Sequence, residues 1–145
     1  MVVLRKATAE DMGLLYDWAN DPIVRKNSFN SAFISYETHQ KWFRNMMSDE
    51  SVLQYILMDD ETPIGQIRLN VEGEEAEIGY SISEEYRGKG FGRKILQMIV
   101  DEVKENYPEI KRMVAKVKPE NIASNKLFVS EGYEEKYSCY TMEIV

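Results

Sequence analysis

Residues 76–100 read AEIGYSISEEYRGKGFGRKILQMIV, and the fold turns on the change of period inside this stretch. Its first eight residues, AEIGYSIS, have the composition of a strand. From about Gly90 to Tyr107 the apolar residues Ile95, Met98, Ile99 and Val103 fall on one side of a helix, which Pro108 ends. Between the two lies Arg87-Gly88-Lys89-Gly90-Phe91-Gly92-Arg93-Lys94. Its three glycines let the backbone approach a ligand closely and take conformations closed to other residues. The first turn of the helix leaves its amides unpaired, and the helix dipole adds to them, so the junction is an anion site. Four basic residues occupy these eight positions with no acid among them, in a chain whose formal net charge is -7.

Upstream, SVLQYILMD and IGQIRLNV read as two further strands joined by Asp59 to Thr62, with Glu72-Gly73-Glu74 leading into AEIGYSIS. Connections this short predict antiparallel neighbours. Val2 to Lys6 reads as a first strand. Thr8 and Asp11 then open a helix carrying Met12, Leu15, Tyr16 and Ala19, which Asn20-Asp21-Pro22 stops. A second helix begins after Ser35, with His39, Trp42, Phe43 and Met46 along one side. Downstream, RMVAKVK returns as a strand, ENIASNKLFVSEG forms a short helix closed by Gly132, and Tyr133 to Tyr137 with Cys139 to Val145 reads as a final hairpin. The order is α+β, with one crossover between parallel strands.

The length of 145 residues predicts one domain over residues 1–145, large enough to bury a core without disulfides or metals. No apolar run reaches the roughly 20 residues of a membrane span, and the N-terminus has no secretory h-region. Cys139 is the only cysteine, which fits a reducing cytoplasm. The negative balance argues against a nucleic-acid partner. A lone His39 supports no metal site, and Cys139 reads as a structural thiol.

The loop is neither a P-loop nor a dinucleotide fingerprint, because it lacks the Lys-Ser/Thr ending and its glycines are too closely spaced. Its pattern Arg87-x-x-Gly90-x-Gly92 resembles the acetyl-CoA pyrophosphate signature of GNAT N-acetyltransferases. Asn121-x-x-Ser124-x-x-Leu127-Phe128-x-x-x-Gly132-Tyr133 resembles the second signature of that family, and the element order is similar over essentially the whole chain. The resemblance implies a GNAT fold: a mixed, mostly antiparallel sheet of about seven strands flanked by four helices, with a splayed strand pair holding the cofactor. It implies acetyl-CoA as acetyl donor. Backbone amides of Gly88, Lys89, Gly90, Phe91, Gly92 and Arg93 then hold the pyrophosphate, with the Arg87 and Arg93 side chains adding charge. The strand at Tyr80, Ser81 and Ile82 pairs with the pantetheine arm, and Asn121 and Asn125 hydrogen-bond it. Phe128 stands among the cofactor-binding positions where the family often has a tyrosine as acid for the leaving thiolate.

Amide formation requires a neutral amine, and free amines with pKa values near about 8 to 10 are mostly protonated at pH 7. Glu77, at the start of the strand that meets the cofactor, is the candidate base, acting directly or through water. For the acceptor, Trp18-x-Asn20-Asp21-Pro22 followed by Val24-Arg25 resembles ribosomal-protein-like GNATs. The continuation from Arg25 to Asn30 and His39-x-Lys41-Trp42-Phe43 is similar to acetyltransferases acting on nucleotide-linked 4-amino sugars of the pseudaminic acid type. Arg25 is then a partner for the diphosphate, Trp42 a stacking residue, and His39 a further acceptor-site candidate. Two alternatives stay open: a peptide N-terminal acetyltransferase, and a non-catalytic acyl-CoA-binding module. The protein is expected as a monomer or homodimer acting on a small molecule, without a membrane partner.

Overall fold

In the computed structural model, which describes residues 1–144, the middle of the chain forms a meander with two unlike faces. Its strands are β2 (Val52–Asp59), β3 (Thr62–Glu72) and β4 (Glu75–Ile82), each antiparallel to the next. Side chains alternate between faces along a strand. Tyr55, Ile67, Leu69 and Ile78 are buried with Ile95, Leu96, Ile99 and Val103 of the helix α4 (Phe91–Asn106); of the expected stripe Ile95, Ile99 and Val103 are buried and Met98 is half-buried, while Leu96 joins the core in addition. Within this core the Tyr55 hydroxyl donates to Glu102 Oε2 at 2.8 Å and lies 3.0 Å from the Tyr107 hydroxyl. Burial and both neighbours push the Tyr55 pKa up, so the phenol stays protonated.

The other face is covered only in part. Ile56 packs against Leu15 of α1 (Met12–Ala19) and against Phe43 and Met46 of α3 (Tyr36–Ser48). Gln54, Gln66, Arg68, Asn70, Glu77 and Ser81 take the corresponding alternate positions farther along and bring polar groups to the same side. A row of hydrogen bonds runs from Gln54 Nε2 to Gln66 Oε1 at 2.8 Å and from Gln66 Nε2 to Ser81 Oγ at 3.1 Å. β1 (Val2–Lys6) closes one edge antiparallel to β2, and β5 (Arg112–Ala115) adds to β4 in parallel, giving the order β1-β2-β3-β4-β5.

The α+β class and the mixed, mostly antiparallel sheet follow the expectation, but the element count does not. Among the described residues the sheet has five strands, not about seven. The expected final hairpin is absent as far as Ile144, and Val145 lies outside the described residues. Tight two-residue hairpin turns need a residue at positive φ. None is found between Tyr133 and Ile144, where Tyr137, Tyr140, Met142 and Ile144 stand exposed. Among the described residues there are five α-helices, not four, because Asn20-Asp21-Pro22 ends one helix and starts another. Asp21 accepts from the amides of Ile23 and Val24, Pro22 occupies the first turn where its missing N–H is harmless, and α2 (Pro22–Asn27) follows.

β3 and β4 meet closely at Gly65, which pairs with Ile82. A Cβ there would lie 2.8 Å from the Ser81 carbonyl oxygen and 2.8 Å from Ile82 Cδ1. The carbonyl belongs to the sheet ladder and has nowhere to go. Gly65→Ala is therefore expected to lower stability by about 1–3 kcal/mol, read as a lower denaturation midpoint.

Candidate active site

β4 and β5 pair only from Glu75–Arg112 to Ile78–Ala115. Beyond that point Gly79, Tyr80, Ser81 and Ile82 keep their β3 partners but have none on the β5 side, so the two strands part. A cavity of about 550 Å³ opens in the gap. It is lined by this stretch of β4, by Ala115 to Val117, by the glycine loop, and by α5 (Ile122–Ser130) through Ser124 and Phe128. At the loop, Gly88 and Gly90 hold φ of +73° and +86°, and a Cβ on either would meet nothing within 4 Å. The loop backbone thus faces open space, and Gly90 is the residue that starts α4. A half-paired strand, a glycine cradle and a helix N-terminus around one cavity fit the amide-rich arm and the pyrophosphate of acetyl-CoA.

The charged side chains of the loop are used differently from expectation. The Arg87 guanidinium pairs with Asp21 Oδ2 at 3.0 Å, and its Nε donates to the Ile82 carbonyl at 2.9 Å. Arg87 thus ties the end of β4 to the start of α2. Arg93 pairs with Glu131 at the end of α5. Both acids are remote in sequence, which is why the run of basic residues looked unopposed. Lys89 stands over the Tyr86 ring, with Nζ 5.6 Å from its centre.

Asn121 caps α5, its Oδ1 accepting from the Ser124 amide at 3.3 Å, and lines the cavity as well. Asn125 Nδ2 donates to the carbonyls of Lys118 and Asn121, both at 2.9 Å, so its amide holds the approach to α5. The Phe128 ring is buried edge-on to Tyr80 and Tyr133, at 5.8 and 5.0 Å between centres. Among the hydroxyls lining the cavity, those of Tyr80 and Ser124 lie 2.9 Å apart. Burial raises the Tyr80 pKa and the Ser124 contact opposes that, leaving the phenol protonated at neutral pH. Tyr133 also has a raised pKa through burial, and its buried hydroxyl has no hydrogen-bond partner among the described residues. Glu77 lines the cavity, paired with Lys116 Nζ at 2.9 Å. Sequence reasoning missed Lys116, Asp21 and Glu131, and treated Ser124 only as a motif position.

A second cavity, of about 410 Å³, lies under α1, α2 and α3. Both cavities are lined by Val24, Ser28, Arg68, Gly79, Tyr80 and Ser81, so they meet on the free half of β4. Arg25 and Trp42 both line the second cavity. The Arg25 guanidinium, however, donates to the carbonyls of Ala19, Asn30 and Ala32 and to Ser28 Oγ, holding the α2 turn in shape. Trp42 lies beneath Arg68, whose guanidinium carbon is 5.0 Å from the ring centre. His39 is buried there, its Nε2 donating to the Met12 carbonyl at 3.0 Å, and burial lowers its pKa. Among the described residues no group of three or more His, Cys, Asp and Glu could hold a metal ion, and no helix is long and apolar enough to cross a membrane.

Residues 2–134 match the acetyltransferase (GNAT) domain family. The uncharacterized N-acetyltransferase p20 of Bacillus licheniformis is 28% identical over 144 residues, covering 93% of this chain and 80% of p20. An aminoglycoside N(6')-acetyltransferase type 1 of Klebsiella pneumoniae is 26% identical, covering 93% of this chain and 75% of that protein. The structure of spermidine N-acetyltransferase from Vibrio cholerae with CoA and spermine has the same fold, with a TM-score of 0.85 at 19% identity over 94% of this chain and 82% of that one. The chain belongs to the GNAT family and is an acetyl-CoA-dependent N-acetyltransferase.

Two outcomes follow from this geometry. Gly90→Val puts a branched side chain at positive φ in the cradle, and calorimetry should show acetyl-CoA affinity at least about tenfold weaker with native circular dichroism. Burial opposes the ionisation of Asp21, but Arg87 and the amides of Val24 and Ile23 outweigh it and hold its carboxyl below the usual range. A depressed carboxyl stabilises the fold above its unfolded pKa of about 3.9 and loses that contribution as pH falls through its folded value. Arg87→Gln should lower stability by about 1–3 kcal/mol at pH 7, and the gap to wild type should narrow in acid.

Proposed function

We propose that the enzyme acetylates the primary amine of a nucleotide-linked amino sugar, with the acetyl donor in the first cavity and the acceptor in the second. The observation that carries the transfer reading is the meeting of the two cavities along Gly79, Tyr80 and Ser81, where β4 has no neighbour on one side. Bound acetyl-CoA supplies an acyl carbon already activated as a thioester. The free amides of β4 are suited to polarise the thioester carbonyl. Glu77 accepts the amine proton, directly or through water. One of its oxygens is already engaged by Lys116 Nζ at 2.9 Å, which leaves the other for the amine or a bridging water. The Tyr80 hydroxyl, protonated and steadied by Ser124, is the group suited to return a proton to the departing sulfur in place of the phenol absent at Phe128.

The acceptor part of the reading rests on resemblance and on the aromatic and cationic lining of the second cavity. The names of two relatives point to aminoglycosides and spermidine as competing acceptors. Release of CoA measured across an amino-sugar nucleotide, kanamycin, spermidine and a peptide N-terminus tests the reading. The amino-sugar nucleotide should give the highest kcat/KM. Faster turnover of the peptide would make this a peptide acetyltransferase, and CoA binding without release from any amine would make it a binding module.

Two variants test the proton steps. Glu77→Gln should lower kcat about tenfold at pH 7, and the loss should shrink as pH rises and the amine deprotonates itself. Tyr80→Phe should lower kcat about tenfold with little change in acceptor KM, whereas Phe128→Tyr should change kcat by less than about tenfold. A thiolate leaving group, with a pKa near about 8.5 by analogy with cysteine, depends only weakly on an acid. A large gain from Phe128→Tyr with no loss from the other two would move the proton transfers to other groups.

A further inference from the structure

The guanidinium groups along the two cavities are not equivalent. Arg25 spends four of its five N–H donors on three carbonyls and a hydroxyl, and Arg87 is held by Asp21 and the Ile82 carbonyl. Arg68, in the middle of β3, makes no side-chain hydrogen bond and no ion pair among the described residues; burial lowers its pKa, and the charge of Glu77, which is not in contact with it, opposes that shift without cancelling it. It stands opposite Gly79, which has no side chain to cover it, at the junction of the cavities. Its guanidinium carbon lies 5.0 Å from the centre of the Trp42 ring, a cation–π contact that uses none of its N–H donors and leaves them for another group. A partly desolvated cation without a counterion is unfavourable unless something supplies one.

The surrounding charge points the same way. No carboxylate lines the second cavity. Glu77 is the one that lines the first, and it is already paired with Lys116. A polycationic acceptor would meet cations here and find no free acid.

We propose that Arg68 is the acceptor-reading residue: its N–H edge pairs with an oxyanion, a phosphate or a carboxylate, on the acceptor, so that the enzyme takes anionic amines and disfavours polyamines. The inference rests on the acetyl-transfer reading of the site and fails separately from it. Chemically it replaces Arg25 by Arg68 as the partner of the acceptor diphosphate.

The test uses the full chain saturated with CoA, so that the glycine cradle is filled before any anion is added. Calorimetry with UDP, inorganic pyrophosphate and glutamate should show binding to wild type. Arg68→Gln should weaken it about tenfold or more while CoA affinity and melting temperature stay near wild type, and Arg68→Lys should restore part of it. Pyrophosphate binding without glutamate binding identifies the oxyanion as a phosphate, and the reverse identifies a carboxylate. In turnover, Arg68→Gln should raise the KM of the amino-sugar nucleotide and leave that of spermidine unchanged or lower. The proposal is overturned if CoA-loaded wild type binds none of the three probes, if Arg68→Gln binds them equally well, or if spermidine has a lower KM than every anionic amine. Anion binding that depends on Arg68, with no CoA release from any amine, would uphold the anion site and sink the acetyl-transfer reading instead.

Discussion

A strand inside a sheet has to find partners for its backbone on both sides, and β4 does so for only half its length. The rest of the site depends on that half. β5 ends at Ala115 and the chain turns away toward α5, so the groups of Gly79 to Ile82 are left facing a gap. The gap lies beside the first turn of α4, because the loop after Ile82 returns the chain at once into that helix. A ligand that is extended and amide-rich at one end and anionic at the other can therefore pair with the strand and meet the helix amides together.

The two faces of the sheet divide the labour. One is sealed by α4 with aliphatic side chains, which makes it rigid. The other is packed tightly only near β1 and β2, and where α1 to α3 stand off it over the second cavity, polar side chains take the alternate positions. The Asp21–Arg87 pair ties the helices over the second cavity to the glycine loop of the first. The relative placement of the two cavities thus rests on one partly buried ion pair as well as on the sheet.

Much of this was legible in the sequence because it is local. The change of period after Ser83, the glycine spacing and the Ser35 cap depend on neighbours within a few residues, and the structure agrees with all three. What was not legible depends on pairs far apart in the chain. Arg25 and Arg87 read as spare charge, yet one is consumed by carbonyls of its own loop and the other by an acid 66 positions away. Glu77 read as a free carboxylate because Lys116 reaches it only through the parallel pairing of β4 and β5. Arg68 went unremarked inside an ordinary strand, since its significance lies in what it fails to touch. The final hairpin expected over Tyr133 to Val145 lacks, as far as Ile144, the positive-φ turn that would close it.

The parting of β4 and β5 also bears on how long the protein lasts in a cell. A ligand that bridges the gap binds the folded chain and not the unfolded one, so it stabilises by mass action, by about 2.7 kcal/mol at a hundredfold excess over its Kd. Against a typical total of about 5–15 kcal/mol for a folded protein, that is a sizeable share. Starved of donor, the same chain opens more often and presents an unpaired strand to proteases and to the edges of other sheets. Bound acetyl-CoA is thereby a stabiliser of the fold as well as a substrate.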